Sequence, residues 1–337
     1  MKIGNLDLGN LPLFLAPMED VTYKSFRYLC KKFGADVMST EFISADGIKR
    51  EMEATRRKMT IFDFDSPIAI QIYGSDIEAM VAAAKVAAVA KPDYIDINFG
   101  CPMKKIAGKG SGAGLLRDIP KMVKMAEEIV KAADLPVTAK TRLGWDHSDM
   151  PIVEIGERLQ DVGIQMLTIH GRTRSQLYTG EADWSMIGKV KANPRMKIPV
   201  IGNGDISSPE KARACAELSG VDGLMIARGA IGRPWIFRDI RHYFETGELL
   251  QPPLVPEVVE SVKEQLYQSI SWKPEPRGAI LEMRRHFNRY FPGLEDFRNY
   301  RIQLLQAVEL NEVIQILEEI AQVYANQRVD YTNISLK

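Results

Sequence analysis

From Leu13 onward the chain alternates short apolar runs, each closed by a polar residue or glycine, with longer segments whose apolar positions recur at helical spacing. The runs LFLAP (13–17), DVMST (36–40), IAIQIY (68–73), YIDIN (94–98), VTAKTR (137–142), MLTIHG (166–171), PVIGNG (199–204) and GLMIAR (223–228) predict eight strands. Helices are predicted between them, among others over 76–90, 119–133, 151–162 and 208–217. Eight strands with intervening helices in about 240 residues predict an α/β fold closed as a (β/α)8 TIM barrel rather than an open sheet. After Phe237 the alternation stops, and QPPLVP (251–256) reads as a linker because prolines interrupt regular structure. Segments 258–270, 276–289 and 308–323 then have amphipathic helical spacing with no competing strand pattern. The expected organisation is a barrel domain over 1–245 followed by a small all-helical C-terminal domain over 257–337.

Composition narrows this picture only slightly. The 337 residues are 45% hydrophobic and 26% charged, enough for a large core, and the formal net charge is zero. A polyanionic partner would therefore be met by a local basic patch and not by overall attraction. The three cysteines, Cys30, Cys101 and Cys215, are widely spaced, which fits reduced thiols and argues against a disulfide framework or a metal cluster. MKIGNLDLGN has no continuous apolar stretch, and no run of about 18 apolar residues follows, so neither secretion nor membrane spanning is expected and a cytoplasmic location is.

In a closed barrel the C-terminal ends of all strands meet on one face. The predicted strands place Gln71, Asn98, Lys140, His170, Asn203 and Arg228 at or near those ends. Lys140 lies within an apolar strand, where a charge requires a polar mouth or an anion. The glycine-rich stretches 204–214 and 226–237 follow the seventh and eighth strands, where backbone N–H groups at a helix start can surround a phosphate and Arg228 can add a bidentate partner. A cation, an imidazole and two amides facing one cavity suit a flat heterocycle with carbonyls and ring nitrogens, as in a flavin. Residues 95–114 join the strand ending in Asn98 to a loop rich in Lys and Gly. Cys101 at this turn is either a small buried hydrophobe or a reactive thiol facing the cavity.

Several stretches together carry a family resemblance: APMEDVT (16–22), the Gln71 strand, DINFGCPMKKIAGKGSGAGLL (96–116), KTRLGW (140–145), LTIHGRT (167–173), GNGDI (202–206) and ARGAIGRPWIF (227–237). The chain resembles the tRNA-dihydrouridine synthases, nearest their bacterial B-type branch. The resemblance implies an FMN-dependent barrel with a helical C-terminal domain that reduces particular uridines of tRNA to 5,6-dihydrouridine with NADPH. It implies that Pro17 and Met18 line the flavin, and that Gln71, Lys140 and His170 contact its ring or ribityl chain. Asn203, Gly204 and Asp205, with Ala227 and Arg228, would hold the remainder and its phosphate. Cys101 matches the family's proton donor and Asn98 a residue beside the target uracil. Two departures stand out: Ala227 where many relatives carry Gly, and Tyr23 where Asp is common.

On this reading the target uridine leaves its stack, hydride reaches carbon 6, and Cys101 donates a proton to carbon 5. Lys104, Lys105 and Lys109 would favour a thiolate if they approached Cys101, so they are expected to face tRNA phosphates as a mobile basic lid over 104–114. Arg284, Arg285, Arg289, Arg298 and Arg301, interleaved with Phe287, Tyr290 and Tyr300, make the helical domain a candidate RNA platform, with Arg284 and Arg285 as substrate contacts and 49–58 as a further basic run. No obligate protein partner is indicated. The alternatives are a dihydroorotate dehydrogenase-like flavoprotein acting on a free pyrimidine, and a flavin-free RNA-binding protein on a barrel scaffold.

Overall fold

A computed structural model describes residues 1–273 and 275–332. Pro274 and the last five residues of the expected 257–337 domain lie outside the described residues. The chain divides into two compact units, one formed by Met1–Glu19, Ala35–Ile206 and Glu210–Ala227, the other by Asp20–Gly34, Ser207–Pro209 and Arg228–Lys337.

The strands are β1 (Lys2–Ile3), β2 (Leu6–Asp7), β3 (Leu13–Leu15), β4 (Met38–Ser39), β5 (Ile43–Ser44), β6 (Ile68–Tyr73), β7 (Tyr94–Asn98), β8 (Val137–Arg142), β9 (Leu167–His170), β10 (Val200–Asn203) and β11 (Gly223–Ile226). The hairpin β1–β2 is antiparallel. The main sheet runs β3-β11-β10-β9-β8-β7-β6-β4 with parallel pairing throughout. A parallel bridge between Phe14 and Val37, with the Leu15 N–H donating to Val37 O at 2.9 Å, closes it into an eight-stranded barrel. All eight expected strands are present. The strand predicted over 36–40 is shortest, and β5 adds a second parallel pairing to the end of β6.

The barrel strands are buried almost throughout, as both-face burial of a parallel sheet requires. Ile3, Phe14, Val37, Ala69, Tyr94, Met166, Ile201 and Met225 form one apolar cluster, so the barrel is filled and not a pore. The helices Ile77–Val89, Ile119–Ala132 and Trp184–Ala192 begin where Asp76, Asp118 and Asp183 side chains accept from backbone N–H groups of the first turn. Helices Ile152–Asp161 and Pro209–Ser219 follow β8 and β10.

The second unit is helical. Helix Val255–Ile270 packs against Lys24–Lys32, Pro276–Tyr290 and Leu310–Val323. Trp235, Val258, Leu266, Phe287, Tyr290, Phe297 and Leu317 lie in its core. The predicted linker 251–256 is two residues too long: Val255 opens the helix and Pro256 sits in its first turn. A proline's missing N–H costs nothing there, because the first turn has no intrahelical acceptors for its donors.

Candidate active site

Register aligns the polar strand residues into rows. Gln71 pairs with Asp96 and Asp96 with Thr138, while Asn98 pairs with Lys140 and His170 with Asn203. Because strand side chains alternate, Asp96 and Asn98 share a face, as do Thr138, Lys140 and Arg142. A continuous hydrogen-bonded chain results. Thr138 Oγ1 donates to Asp96 Oδ1 at 2.6 Å, and Gln71 Nε2 donates to Asp96 Oδ2 at 2.6 Å. Asn98 Nδ2 then donates to Gln71 Oε1 at 2.8 Å, and Asn98 Oδ1 accepts from the N–H groups of Gly100 and Cys101 at 3.0 and 2.9 Å. Acceptors and donors are thereby fixed from the barrel interior to the backbone of the thiol residue.

Cys101 is 8% exposed. Burial pushes its thiol above the usual range, against smaller opposing effects of the Met103 N–H, Arg142 and Lys140. At neutral pH the group is a thiol, which can donate a proton. The cations that act on it are Arg142 and Lys140, whereas Lys104, Lys105 and Lys109 are exposed. The expected lid over 104–114 takes a different form. Lys104–Ala107 is a short helix, Gly112–Arg117 a 3-10 turn, and residues 111–116 are buried. Its glycines serve close approach: a Cβ on Gly112 would meet Cys101 O at 3.0 Å and Cys101 Cβ at 3.1 Å.

Lys140 Nζ donates to Asn203 Oδ1 at 3.1 Å, and Asn203 Nδ2 donates to Met225 O at 2.7 Å. Burial, with Arg142 adding to it, lowers Lys140 to about 8, while Asp96 and Cys101 oppose the change. Burial likewise raises the Asp96 carboxyl, against the hydrogen bonds from Thr138 and Gln71 and the charge of Lys140. His170 is 7% exposed, and its Nε2 lies 3.3 Å from Arg172 Nη1. A guanidinium only donates, so this contact assigns Nε2 as acceptor and leaves the ring proton on Nδ1. Arg172 holds Asp205 through two bonds of 2.8 and 2.7 Å, and Asp205 also accepts from the Ala182 N–H at 2.8 Å. Asp205 adopts φ +55°, and at Gly204, φ +131°, a Cβ would meet Ala182 Cβ at 2.6 Å and His170 Cδ2 at 3.1 Å.

Pro17 and Met18 follow β3 and are half-buried, as is Ala227 after β11. Arg228 opens the 3-10 turn Arg228–Ala230. In the helical unit Arg284 Nη2 donates to the carbonyls of Gln306 and Ala307 at 3.4 Å each, at the end of helix Arg298–Gln306. Arg285 pairs with Asp20 at 2.7 Å. Both arginines thus have structural partners besides any ligand. Sequence reasoning passed over Asp96, Thr138, Arg142 and Arg172. Arg142 is 2% exposed and donates to Gly100 O at 2.8 Å and to Thr173 O and Leu177 O at 2.9 Å each. The period-2 placement of polar residues in β7 and β8 was the signal that could have found the first three.

A parallel (β/α)8 barrel with a buried thiol just after one strand and a half-buried lysine within the next has the layout of a barrel enzyme. The family model described as "Dihydrouridine synthase (Dus)" matches residues 14–326, and the chain belongs to that family. It is 42% identical over 302 residues to a protein of Pseudomonas putida named tRNA-dihydrouridine synthase B, covering 88% of each chain. It is 39% identical over 318 residues to the Proteus vulgaris protein of the same name, covering 94% of this chain and 97% of that one. A probable tRNA-dihydrouridine synthase of Rickettsia conorii is 37% identical over 328 residues, covering 97% of both. Among solved structures, histamine dehydrogenase from Rhizobium sp. 4-9 superposes with a TM-score of 0.54 at 11% identity, over 98% of this chain and 66% of that one. A 2-naphthoyl-CoA reductase complex does so with 0.53 at 13% identity, over 72% and 51%. These two likenesses concern the fold alone.

Proposed function

We propose that the protein is a tRNA-dihydrouridine synthase that uses FMN and NADPH to reduce particular uridines of tRNA to 5,6-dihydrouridine. Family membership supports the reaction, and one observation carries the residue assignment: the Cys101 thiol is buried and held protonated beside the polar chain through Asn98, Gln71 and Asp96. The residues fit a flavin. Lys140 is a half-buried ammonium whose one hydrogen bond among the described residues goes to a neutral amide oxygen, so it can meet an electron-rich carbonyl or ring nitrogen.

Lys140, Gln71 and His170 would hold the ring or ribityl chain, Pro17 and Met18 would line it, and Asn203, Gly204, Asp205, Ala227 and Arg228 would hold the remainder and its phosphate. When bound, FMN supplies hydride for carbon 6 of the uracil. Cys101 delivers its proton to carbon 5, and burial keeps that proton on sulfur until the uracil accepts it. Asn98 fixes the turn that presents the thiol and stands beside the base. Asp96 and Thr138 orient the Gln71 amide. Lys140, mostly protonated at neutral pH, stabilises negative charge in the cavity. Segment 1–245 carries the chemistry. Segment 257–337, with Arg284 and Arg285, together with Lys104 and Lys105 on the barrel, contacts tRNA. No helix among the described residues is long and apolar enough to cross a membrane. A cytoplasmic location is part of the proposal, because that is where a tRNA substrate is met.

The test is Cys101→Ala. NADPH should still bleach the flavin, while dihydrouridine formation on tRNA falls by about 10²–10⁴-fold, the usual contribution of a positioned acid. Full turnover on tRNA by this variant would refute the role of Cys101. Turnover of a free pyrimidine by the wild type, with none on tRNA, would refute the function itself.

A further inference from the structure

Three residues near the catalytic rim form an arrangement that the reaction does not use. The guanidinium carbon of Arg117 lies 3.6 Å from the centroid of the Trp145 ring, and that of Arg174 lies 4.7 Å from it. Two like charges thus share one indole. Neither guanidinium has a carboxylate partner among the described residues, and Arg174 Nε is buried without a hydrogen bond. The acids adjacent in sequence are engaged elsewhere. Asp118 accepts from the Lys121 N–H at 3.1 Å, and Asp146 accepts from Ser148 N and Oγ at 2.9 and 2.6 Å. Indole attracts each cation through its ring face but does not cancel their mutual repulsion. The arrangement lacks an anion.

Its place in the fold says which anion. Arg117, Trp145 and Arg174 follow the C-terminal ends of β7, β8 and β9, which are neighbours in the barrel. Arg142 joins this region to the thiol, since it donates to the carbonyl of Gly100, next to Cys101, and to that of Thr173, next to Arg174. Lys104, Lys105 and Lys109 are exposed on the same connection as Arg117. A stacked guanidinium keeps its N–H edge free in a fixed plane, the geometry that binds phosphate oxygens bidentately.

We infer that Arg117 and Arg174, ordered on Trp145, form a phosphate-binding site on the barrel rim that takes a backbone phosphate of the tRNA near the uridine to be reduced. The inference rests on the tRNA reading above. It adds to the barrel an RNA contact separate from the helical domain. Trp145 sets the plane of the guanidinium groups, and the two arginines supply charge.

The experiment measures binding of a fluorescently labelled tRNA transcript to the full chain over a series of KCl concentrations, for the wild type, Arg117→Gln, Arg174→Gln and the double variant. Each single change is expected to weaken binding about tenfold, as loss of a charge-assisted contact does. Each should also lower the slope of log Kd against log salt by about 1, the signature of one phosphate contact. Unchanged Kd and slope in Arg117→Gln would overturn the inference, and because that side chain is exposed the variant decides the matter even if Arg174→Gln fails to fold. Unchanged tRNA binding with a raised KM for NADPH would also overturn it, assigning the site to the dinucleotide phosphate. Failure of the wild type to bind tRNA would instead count against the function.

Discussion

Lys140 in the barrel, half-buried, and His286 in the helical unit, fully buried, are both ionisable groups partly or wholly withdrawn from water, and they are treated differently. His286 is fully buried with neither ring nitrogen hydrogen-bonded among the described residues. Its neighbours are rings: Tyr23 at 5.5 Å, Phe26 at 4.6 Å and Tyr290 at 6.4 Å between centroids. Burial, with the Arg285 charge adding to it, lowers His286 to about 3, so the imidazole serves as a neutral aromatic filler. Lys140 is lowered by burial too, but Asp96 and Cys101 oppose the change and Asn203 accepts from it. It therefore stays charged at neutral pH. Desolvation alone neutralises a group, whereas desolvation offset by nearby polar atoms keeps a charge available for chemistry.

The largest expected effect comes from His286→Phe. The unfolded imidazole takes a proton near pH 6.5 and the folded one near 3, so the unfolded state holds more protons between those values and stability falls as pH drops through that window. The loss approaches ~5 kcal/mol for a shift of this size. Urea denaturation of His286→Phe across the window should lack that loss, and an acid slope equal to the wild type's would show that the ring is solvated. Lys140→Met sharpens the other half of the comparison. The folded lysine loses its proton near 8 and the unfolded one near 10.5, so wild-type stability should rise with pH between them, by up to ~3 kcal/mol. The same measurement on Lys140→Met should show a flat alkaline limb. The smallest effect is expected from Asp96→Asn, which exchanges one of two buried acceptor oxygens for a donor beside Thr138 and costs ~1–2 kcal/mol. It also removes a charge that supports the protonated Lys140, so the alkaline rise should begin below pH 8. An unmoved rise would separate Asp96 from Lys140.

Much of the barrel was legible because its signals are local. Apolar runs ended by glycine or polar residues marked all eight strands, and aspartates placed before helical stretches act as their caps. Gln71, Asn98, Cys101, Lys140, His170 and Asn203 could be nominated because strand ends in a closed barrel share a face. Glycine misled where its role was spatial: 104–114 reads as a flexible lid, yet Gly112 and Gly114 are buried against Cys101 and Ala107. Clusters of arginine leave their partners open, because charge in a sequence does not reveal them, and Arg284 and Arg285 have protein partners in the structure as well.

By itself, then, the sequence determined the elements, their parallel arrangement, the family and the nomination of Cys101 as candidate thiol, because periodicity, punctuation and motif spacing act over a few residues at a time. Only the tertiary structure decided how that thiol is held. The chain from Thr138 to Asp96 spans 42 positions and that from Gln71 to Asp96 spans 25, so their bonds exist only once three strands have closed in register. The protonation of Cys101 and Lys140 was likewise settled there, since burial and the field of groups distant in sequence are set by packing.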